Sequence, residues 1–397
     1  MSAAILAAMR PSSQGPSHGR GPGEGEPNVR EALGAGRAQR MKHLMVVAAG
    51  TGGHVMPGLA VAGELQRRGW SVSWLGTQAG MERGLVEPRG IAFAAIDFSG
   101  LRGKGLKTLV FGGFLLLRAI WQSRRIMRSV RPDAVFSTGG YVAVPAGMAA
   151  STLGVPIVLL NADAAPLMST TLLRPLASGV LCGFDGEAAR KAGAKGLVTG
   201  NPVRPEIAAV GAPAERYAGR GGPLRLLVIG GSLGAQVLNE TVPQALARIP
   251  LERRPQVVHQ CGARHLESVR SAYADAGVQA EVVTFIDDIA ARYAQADLVL
   301  ARAGAITVTE LAAAGVPSIL VPLVVSTTDH QRTNAEFMAA KQAAIHLPQT
   351  ELTALRLAAL LAGLDRARLQ SMAAAARAVA RPRATETVAA VIEKVAA

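Results

Sequence analysis

The residues best suited to chemistry stand in two glycine-rich turns, Gly50–His54 and Gly230–Ala235, each of which joins an apolar run to a helix-like run. Such turns bind phosphate well, because the backbone approaches the ligand closely and the helix N-terminus carries about half a positive charge. His54 suits a general base beside a sugar hydroxyl, and Ser232 in the second turn suits a phosphate oxygen. A structural role, as a helix-start histidine or a tight strand–helix corner, is the alternative for each turn.

Both turns depart from the common nucleotide motifs. Val55 occupies the position of the third glycine of the dinucleotide motif, the second turn lacks that motif as well, and neither turn carries a Walker lysine. The sequence therefore disfavours NAD and ATP as ligands. Two similar units in one chain predict two similar α/β domains that face a shared ligand.

Two further segments carry candidate ligand groups at the ends of apolar runs. The turn Ser137–Tyr141 follows one run, and the segment Arg302–Glu310 follows another. In the latter segment, Thr307 and the N–H groups of a helix start suit a diphosphate. Glu310 lies about one helical turn further on, and its acceptor-only carboxylate suits the diol of a ribose. Capping of the helix by Thr307 and Glu310 is the alternative.

A basic and apolar segment lies between Asp97 and Asp133. It contains eight basic residues and no acidic ones, around the apolar run Leu109–Leu117. This mixture is typical of a helix that lies on an anionic membrane. A buried helix with a solvated basic edge is the alternative. The candidate membrane-contacting side chains are Lys107, Phe111, Phe114, Leu117, Trp121, Arg124 and Arg125.

The composition limits the classes of partner. The formal net charge of +14 favours anionic partners such as nucleotides or a membrane surface. Nucleic acid is disfavoured, because only 4% of the residues are aromatic and no RNA-binding or zinc-finger signature is present. The two cysteines lie far apart, and the seven histidines show no metal-ligand spacing. We therefore expect no protein metal site and no required cofactor, with assistance by a free divalent ion left open.

The elements that position these residues alternate along the chain. Short β-like runs separated by helical runs favour doubly wound parallel sheets, an α/β fold. The predicted strands are Leu44–Ala48, Ser71–Leu75, Ala134–Ser137, Pro156–Leu160, Gly179–Cys182, Leu224–Ile229, Gln256–His259, Glu281–Phe285, Leu298–Ala301 and Ser318–Val321. The uncharged stretch from 134 to 162 is interpreted as strand, helix and strand, not as a membrane span, because glycines and prolines interrupt it.

Composition also suggests the domain boundaries. Residues 1–40 are rich in glycine, proline and serine and are predicted to be disordered, with Met41 as a candidate translation start. An N-terminal domain is expected over 41–203 and a C-terminal domain over 204–382, joined near Gly200–Arg204. Pro382 interrupts the helical tail. A last helix, about 383–397, is expected to pack back onto the first domain.

Taken together, the motifs resemble those of the MurG family of bacterial cell-wall glycosyltransferases, from Met41 to the C-terminus. The similarity rests on Gly-Thr-Gly-Gly-His (50–54), Gly-Leu-Arg-Gly-Lys-Gly (100–105), Gly-Gly-Tyr (139–141), Gly-Asn-Pro-Val-Arg (200–204), Gly-Gly-Ser-Leu-Gly-Ala (230–235), Phe-Ile-Asp-Asp (285–288) and Gly-Ala-Ile-Thr-Val-Thr-Glu (304–310). The resemblance implies a GT-B fold, which is two Rossmann-like domains with the active site in the cleft between them.

The resemblance also implies an activity and a donor site. The family transfers N-acetylglucosamine from UDP-N-acetylglucosamine to the C4 hydroxyl of the N-acetylmuramic acid in lipid I, with inversion, and so forms lipid II for peptidoglycan. His54 is the candidate catalytic base. The implied donor-binding residues are Thr51, Gly52, Gly53, Asp163, Arg204, Ser232, Ile286, Ala305, Ile306, Thr307, Val308, Thr309, Glu310, Gln331 and Asn334.

On the acceptor side, the resemblance implies roles for Gly139, Gly140, Tyr141 and Asn161. Family members commonly have His-Glu-Gln-Asn where this chain has Leu160-Asn161-Ala162-Asp163, so a carboxylate proposed for the acceptor is an asparagine here. The implied location is the cytoplasmic face of the inner membrane, as a peripheral protein with lipid I, an anionic membrane surface and other cell-wall synthesis proteins as partners. The alternatives are another GT-B lipid glycosyltransferase, a UDP-N-acetylglucosamine epimerase, or a non-catalytic UDP-sugar-binding scaffold.

Overall fold

A computed structural model describes residues 41–50, 52–78, 80–99, 106–231, 234–323 and 329–397, with the backbone alone for 106–111. The predicted disordered extension, residues 1–40, lies outside the described residues, as do Thr51 and Ser232. Two parallel α/β sheets follow each other along the chain, which confirms the predicted fold class.

In the first half of the chain, the described residues form seven strands and six helices. Its strands are β1 (His43–Ala48), β2 (Ser71–Thr77), β3 (Ala92–Ile96), β4 (Ala134–Gly139), β5 (Ile157–Asn161), β6 (Gly179–Cys182) and β7 (Gly196–Val198). The helices between them are α1 (Gly52–Arg67), α2 (Glu82–Val86), α3 (Leu106–Val130), α4 (Ala143–Thr152), α5 (Met168–Leu173) and α6 (Glu187–Ala192).

The second half repeats this plan. Its strands are β8 (Arg225–Ile229), β9 (Gln256–Gln260), β10 (Glu281–Val283), β11 (Leu298–Ala301), β12 (Ser318–Leu320) and β13 (Ala344–His346). Its helices are α7 (Pro205–Ala208), α8 (Pro213–Tyr217), α9 (Gln236–Ala247), α10 (Leu266–Asp275), α11 (Ile289–Gln295), α12 (Ala305–Ala314), α13 (His330–Ala340), α14 (Ala354–Ala362), α15 (Arg366–Val379) and α16 (Ala384–Val395).

Both sheets reverse their strand order next to their first strand. The first runs β3-β2-β1-β4-β5-β6-β7, and the second runs β10-β9-β8-β11-β12-β13. All described strand pairs are parallel. Strands buried on both faces read as nearly continuous apolar runs, as β1 does with five successive buried residues. A crevice therefore opens between β1 and β4, and another between β8 and β11.

The sequence missed three strands, β3, β7 and β13. All three are edge strands. Because an edge strand has a neighbour on one side only, its burial is incomplete, as in β7, where no residue is fully buried. The interior strands were located because their continuous burial requires continuous apolar residues.

The last helix crosses back to the first sheet. Val388, Ala389 and Ile392 of α16 are fully buried in the same cluster as Leu44 and Val46 of β1. The helix packs against α1. The C-terminal segment therefore supplies part of the core that supports the first glycine turn.

Close backbone approach explains one glycine in each half. Gly140 has φ +81°, and a Cβ there would lie 2.3 Å from the Ala49 carbonyl oxygen. Gly234 has φ +78°, and a Cβ there would lie 2.1 Å from the Cys261 carbonyl oxygen. A larger residue at either position would force the turns at the carboxyl end of each sheet apart.

A titratable side chain, His259 of β9, is fully buried in the second domain. The His259 ring nitrogens lie 2.9 Å from the Tyr273 hydroxyl and 3.1 Å from Asn239 Oδ1. The Asn239 amide nitrogen donates to the Cys261 carbonyl, so its oxygen accepts from the ring, and the tyrosine hydroxyl donates to the other ring nitrogen. Both bonds suit the neutral ring, and burial lowers the pKa of His259 to about 4.

We expect this histidine to make the protein less stable as the pH is lowered from 7 to 4. Between its ordinary pKa of 6.5 and about 4, the unfolded chain binds a proton that the folded chain rejects. The contribution of His259 to the free energy of unfolding should therefore fall by about 3 kcal/mol from pH 7 to pH 4. His259→Gln keeps two hydrogen-bonding atoms without titrating. When urea unfolding is measured at both pH values, the variant should lose about 3 kcal/mol less unfolding free energy than the wild type. Equal losses in the two proteins would show that His259 does not cause the pH dependence.

Candidate active site

Four turns singled out by the sequence lie at the two crevices. In the first sheet, Gly50–His54 follows β1 and Gly139–Tyr141 ends β4. In the second sheet, Gly230–Ala235 follows β8 and Arg302–Gly304 follows β11. In open parallel sheets, ligands bind beyond the carboxyl ends of the strands where the strand order reverses. The topology therefore makes these four turns a candidate active site.

A polar cavity of about 520 Å³ opens at the crevice of the second sheet. This volume is in the range of small-molecule sites. The N-termini of α9 and α12 border it, so backbone N–H groups of both helices are available to an anion. Its lining residues include Gly230, Gly231, Gly234, Gln236, Glu240, Arg302, Gly304, Thr307, Gln331 and Gln349.

Arg302 gives this polar cavity a fixed cation that the sequence analysis left without a role. Its Nη1 donates to Gln349 Oε1 at 2.8 Å and to the Val321 and Pro322 carbonyls at 3.2 Å each. Burial lowers the pKa of Arg302 from 12.5, which leaves it charged at neutral pH. Its place directly after β11 was the available clue, because that is where ligand-facing residues lie.

The predicted donor-binding residues of α12 face three directions. Thr307 lines the polar cavity, whereas Val308 is fully buried in the core. The Thr309 hydroxyl donates to the Ala305 carbonyl and accepts from Asn201 Nδ2 at 2.9 Å. Thr309 therefore contacts the interdomain linker. Ala305 is buried, and Ile306 is half-buried.

Glu310 is paired with a basic residue from the linker. Arg204 donates to Glu310 Oε1 from Nε at 3.2 Å and from Nη2 at 2.9 Å, and the Tyr293 hydroxyl bonds the same carboxylate. Burial raises the pKa of Glu310, and the Arg204 guanidinium opposes that rise. A diol that binds Glu310 would have to share or displace Arg204.

His54 is held in a tautomer suited to a base. Its Nδ1 lies 2.8 Å from the Thr138 carbonyl oxygen, which can only accept, so Nδ1 carries the proton and Nε2 keeps its lone pair. The Thr138 hydroxyl donates in return to the His54 carbonyl at 2.6 Å. Burial lowers the pKa of His54 below 6.5, with Asp163 and Thr138 opposing, so the ring is neutral at pH 7.

His54 lines an apolar cavity of about 470 Å³ at the crevice of the first sheet. Gly140 and Tyr141 of the predicted acceptor side line the same cavity, and His330 reaches it from the second domain. The remaining lining residues are Phe98, Ser99, Leu116, Val144, Leu167, Met168, Ser169 and Leu172. The structure thus brings the candidate base and the third glycine turn together.

Asn161, predicted on the acceptor side, forms hydrogen bonds to the backbone of the loop that follows β5. Its Nδ2 donates to the carbonyls of Asp163 and Ala165, and its Oδ1 accepts from the Leu167 N–H at 2.7 Å. The side chain is 1% exposed. A carboxylate could not donate these two bonds, so the asparagine that departs from the family pattern suits this loop, and acceptor contact would require its bonds to break.

Asn334 joins the two domains through its amide. Its Nδ2 donates to Asp163 Oδ1 at 2.8 Å and to the Ala303 carbonyl at 3.0 Å, and its Oδ1 accepts from the Ala164 N–H at 2.8 Å. The side chain is fully buried. Two residues predicted to hold the donor, Asp163 and Asn334, therefore hold each other in this structure.

The other predicted site residues lie around the same cleft. Gln331 lines the polar cavity and its Oε1 accepts from the Leu323 N–H at 2.9 Å. Ile286 is half-buried beyond the carboxyl end of β10. Gly52 and Gly53 begin α1, next to His54.

The predicted membrane-contacting residues lie on α3. Phe114, Leu117 and Trp121 are each at least 60% exposed, and their spacing puts them on one side of the helix, here called the docking face. Arg125 is exposed and lies over the Trp121 ring, whereas Arg124 donates to the Thr152 carbonyl. The side chains of Lys107 and Phe111 lie outside the described residues.

In the described part of the chain, no helix is long and apolar enough to cross a membrane. Within the same residues, no cluster of three or more histidine, cysteine, aspartate or glutamate side chains is arranged to hold a metal ion.

Family models match both halves of the chain. The glycosyltransferase family 28 N-terminal domain matches residues 44–182, and the family 28 C-terminal domain matches residues 225–394.

Curated relatives match nearly the whole chain. A protein of Chromobacterium violaceum is 57% identical over 89% of this chain and 98% of its own length. One of Herminiimonas arsenicoxydans is 56% identical over 89% and 99%. Both are named UDP-N-acetylglucosamine–N-acetylmuramyl-(pentapeptide) pyrophosphoryl-undecaprenol N-acetylglucosamine transferase.

Solved structures share the fold. The crystal structure of Acinetobacter baumannii MurG superposes with a TM-score of 0.76 at 39% identity, over 89% of this chain and 99% of that one. A Listeria monocytogenes protein described as a putative UDP-N-acetylglucosamine 2-epimerase has a TM-score of 0.61 at 17% identity over 89% and 96%. At that identity the second likeness shows the fold alone.

We expect Asn334→Ala to destabilise the protein by about 2–4 kcal/mol, because three buried hydrogen bonds are lost, two of them to the first domain, and their partners are left unpaired. Gln331→Ala, on the same helix but facing the polar cavity, should cost less than about 1 kcal/mol. Denaturant unfolding of both variants checks this. Equal stability of the two variants would show that Asn334 does not join the domains.

Proposed function

The chain belongs to glycosyltransferase family 28, and we propose that the cleft between its two sheets carries out the family's sugar transfer. The protein transfers N-acetylglucosamine from UDP-N-acetylglucosamine to undecaprenyl-pyrophosphoryl-N-acetylmuramoyl-pentapeptide (lipid I), which yields lipid II in peptidoglycan synthesis. The observation that connects the activity to this chain's geometry is the neutral, oriented His54 at the cleft, opposite the polar cavity.

His54 is the proposed general base. The acceptor's C4 hydroxyl gives its proton to His54 Nε2 as its oxygen forms a bond to C1 of N-acetylglucosamine. The bond from C1 to the UDP oxygen breaks in the same displacement, with inversion at C1. Proton transfer by a positioned histidine accelerates a reaction by about 10²–10⁴-fold.

The polar cavity is the proposed donor site. The N-terminal N–H groups of α9 and α12, together with Arg302, stabilise the charge of the leaving diphosphate. Thr307 and Ser232 donate to its oxygens, and Gln331 contacts the sugar. The Ile286 backbone is the proposed contact for uracil.

Glu310 is the proposed ribose ligand, with Arg204 as a residue that moves between two partners. In this structure Arg204 bonds Glu310. When the ribose diol donates to the carboxylate, the guanidinium is free to turn to the diphosphate, since it is long, charged and 27% exposed. Thr51, Gly52 and Gly53 close the site from the first domain.

The first glycine turns are proposed to face the acceptor. Gly139–Tyr141 leads into α4, whose N-terminus points at the apolar cavity, and α1 begins beside it. Both helix N-termini suit the acceptor's diphosphate. Asn161 and Asp163 act by shaping the loop that follows β5.

The docking face supports a peripheral position on the cytoplasmic surface of the inner membrane. Exposed apolar side chains of α3 stand beside basic ones, as in helices that lie on anionic lipid. Such a position would bring the cleft to an acceptor that cannot leave the membrane.

The epimerase alternative shares only the fold with this chain. An epimerase converts the UDP-sugar without any acceptor, and a scaffold converts nothing. Incubation of the protein with labelled UDP-N-acetylglucosamine, with and without a lipid I analogue, distinguishes all three. Transfer of label that requires the acceptor supports the proposed function.

We expect His54→Gln to lower kcat by about 10²–10⁴-fold and to leave UDP affinity unchanged, because glutamine cannot take up the proton. In the wild type, kcat should be level above pH 7 and fall only below the ordinary histidine pKa, since burial lowers the pKa of His54. Labelled transfer and calorimetry with UDP measure the two quantities.

His346→Gln, in the edge strand β13, is the matched control and should keep the wild-type kcat. A wild-type kcat in His54→Gln would remove His54 from the mechanism.

We expect Arg125→Gln combined with Arg128→Gln to weaken binding to vesicles containing anionic lipid by about 10–30-fold, since each basic residue near the surface adds about 1 kcal/mol. Salt should reduce the difference. Vesicle sedimentation measures it. Arg356→Gln with Arg368→Gln, both exposed on the second domain, should bind like the wild type. Equal loss in both pairs would show a net-charge effect and no docking face.

A further inference from the structure

A second helix exposes apolar side chains beside the cleft. Met168 and Leu172 of α5 are 64% and 58% exposed, and Leu176 just after the helix is 44% exposed. The opposite side of α5 is anchored, because Leu173 is 1% exposed and packs against Gly147 of α4. The orientation of α5 is therefore fixed by packing, and its outward apolar side chains need another explanation.

Two of these side chains form part of the lining of the apolar cavity. Met168 and Leu172 line it from α5, together with Leu116 of α3 and Val144 of α4. Leu116 belongs to the same helix as the docking face. The apolar cavity therefore lies between α3 and α5, with His54 in its lining.

The two cavities differ in chemistry. The polar cavity is lined by Arg302, Glu240 and three glutamines, as expected for a nucleotide sugar. Among the described residues, the lining of the apolar cavity contains no carboxylate, lysine or arginine; its polar side chains are His54, Ser99, Tyr141, Ser169 and His330. A sugar or a peptide would leave hydroxyl or amide groups unpaired against the leucine and methionine walls.

The second imidazole adds a polar end to this cavity. His330 Nδ1 is buried and has no hydrogen-bond partner among the described residues. It reaches the cavity from the second domain, on the side where His54 and Gly140 lie. A ligand that is anionic at one end and apolar along the rest matches this arrangement.

We propose that the apolar cavity between α3 and α5 is the subsite for the first isoprene units of the acceptor, with Met168 and Leu172 as its outer wall. This inference rests on the proposed function, and it assigns to α5 a role distinct from that of the docking face. The isoprenoid lies against Leu116, Met168 and Leu172, and its diphosphate lies at the end bordered by Gly140 and the two histidines. The docking face contacts the bilayer surface, whereas the cavity binds the first part of the isoprenoid chain, which extends out of the bilayer.

The test compares two soluble acceptors without vesicles, so that membrane binding plays no part. Both carry the N-acetylmuramoyl-pentapeptide diphosphate; one ends in a geranyl chain and the other in a methyl group. The wild type should prefer the geranyl acceptor by about tenfold or more in kcat/KM, because the chain is buried in the cavity. In Met168→Gln combined with Leu172→Gln, the preference should fall to about one. Since both side chains are exposed, the variant should fold, which thermal unfolding verifies.

The matched control is Leu251→Gln with Leu355→Gln, two apolar residues of the second domain that are somewhat more exposed than the α5 pair; it should keep the preference. A preference retained by the α5 variant, or absent from the wild type, would overturn the subsite. If the α5 variant lost phospholipid-vesicle binding but kept the preference, the wall would contact ordinary lipid and the inference would be wrong. Failure of the wild type to glycosylate either acceptor would overturn the proposed function as well.

Discussion

The site depends on a property of parallel sheets: where the strand order reverses, the two loops leaving adjacent strands diverge and cannot fill the space between them. Here this happens in both sheets, between β1 and β4 and between β8 and β11. The helices that follow begin at those gaps, so their unpaired N–H groups converge on the cleft. The glycines at 140 and 234 keep the turns close enough for this arrangement, since a Cβ at either position would meet a neighbouring carbonyl.

The two crevices share this topology but are lined by residues of different chemistry. The second crevice holds a half-buried arginine and several amides, which suits a charged and polar ligand. The first crevice is mostly apolar, and the oriented, neutral His54 lies in its lining. Low polarity around His54 keeps its pKa low, and a base must be unprotonated before it can act. The apolar surroundings that suit a lipid acceptor thus also keep His54 unprotonated, as a general base must be.

Buried polar contacts between the halves include those of the linker and of one loop. Asn201 bonds the Ala162 carbonyl and Thr309, and Asn334 bonds Asp163 and Ala164. The loop after β5 is itself held by Asn161. The segment that departs from the family pattern, residues 160–163, therefore takes part in joining the domains.

The sequence by itself determined the α/β plan, the interior strands and the four turns, because buried parallel strands require continuous apolar runs and close backbone approach requires glycine. It missed three of the four edge strands, β3, β7 and β13, because strands with one neighbour are less buried and carry a weaker apolar pattern. Only the tertiary structure decided which polar atoms are free to meet a ligand. Thr309, Arg124 and Asn334 resemble ligand-binding or membrane-binding residues in sequence, yet each is bonded to protein, in two cases to residues more than 100 positions away. The availability of a side chain is set by partners that no local pattern reveals.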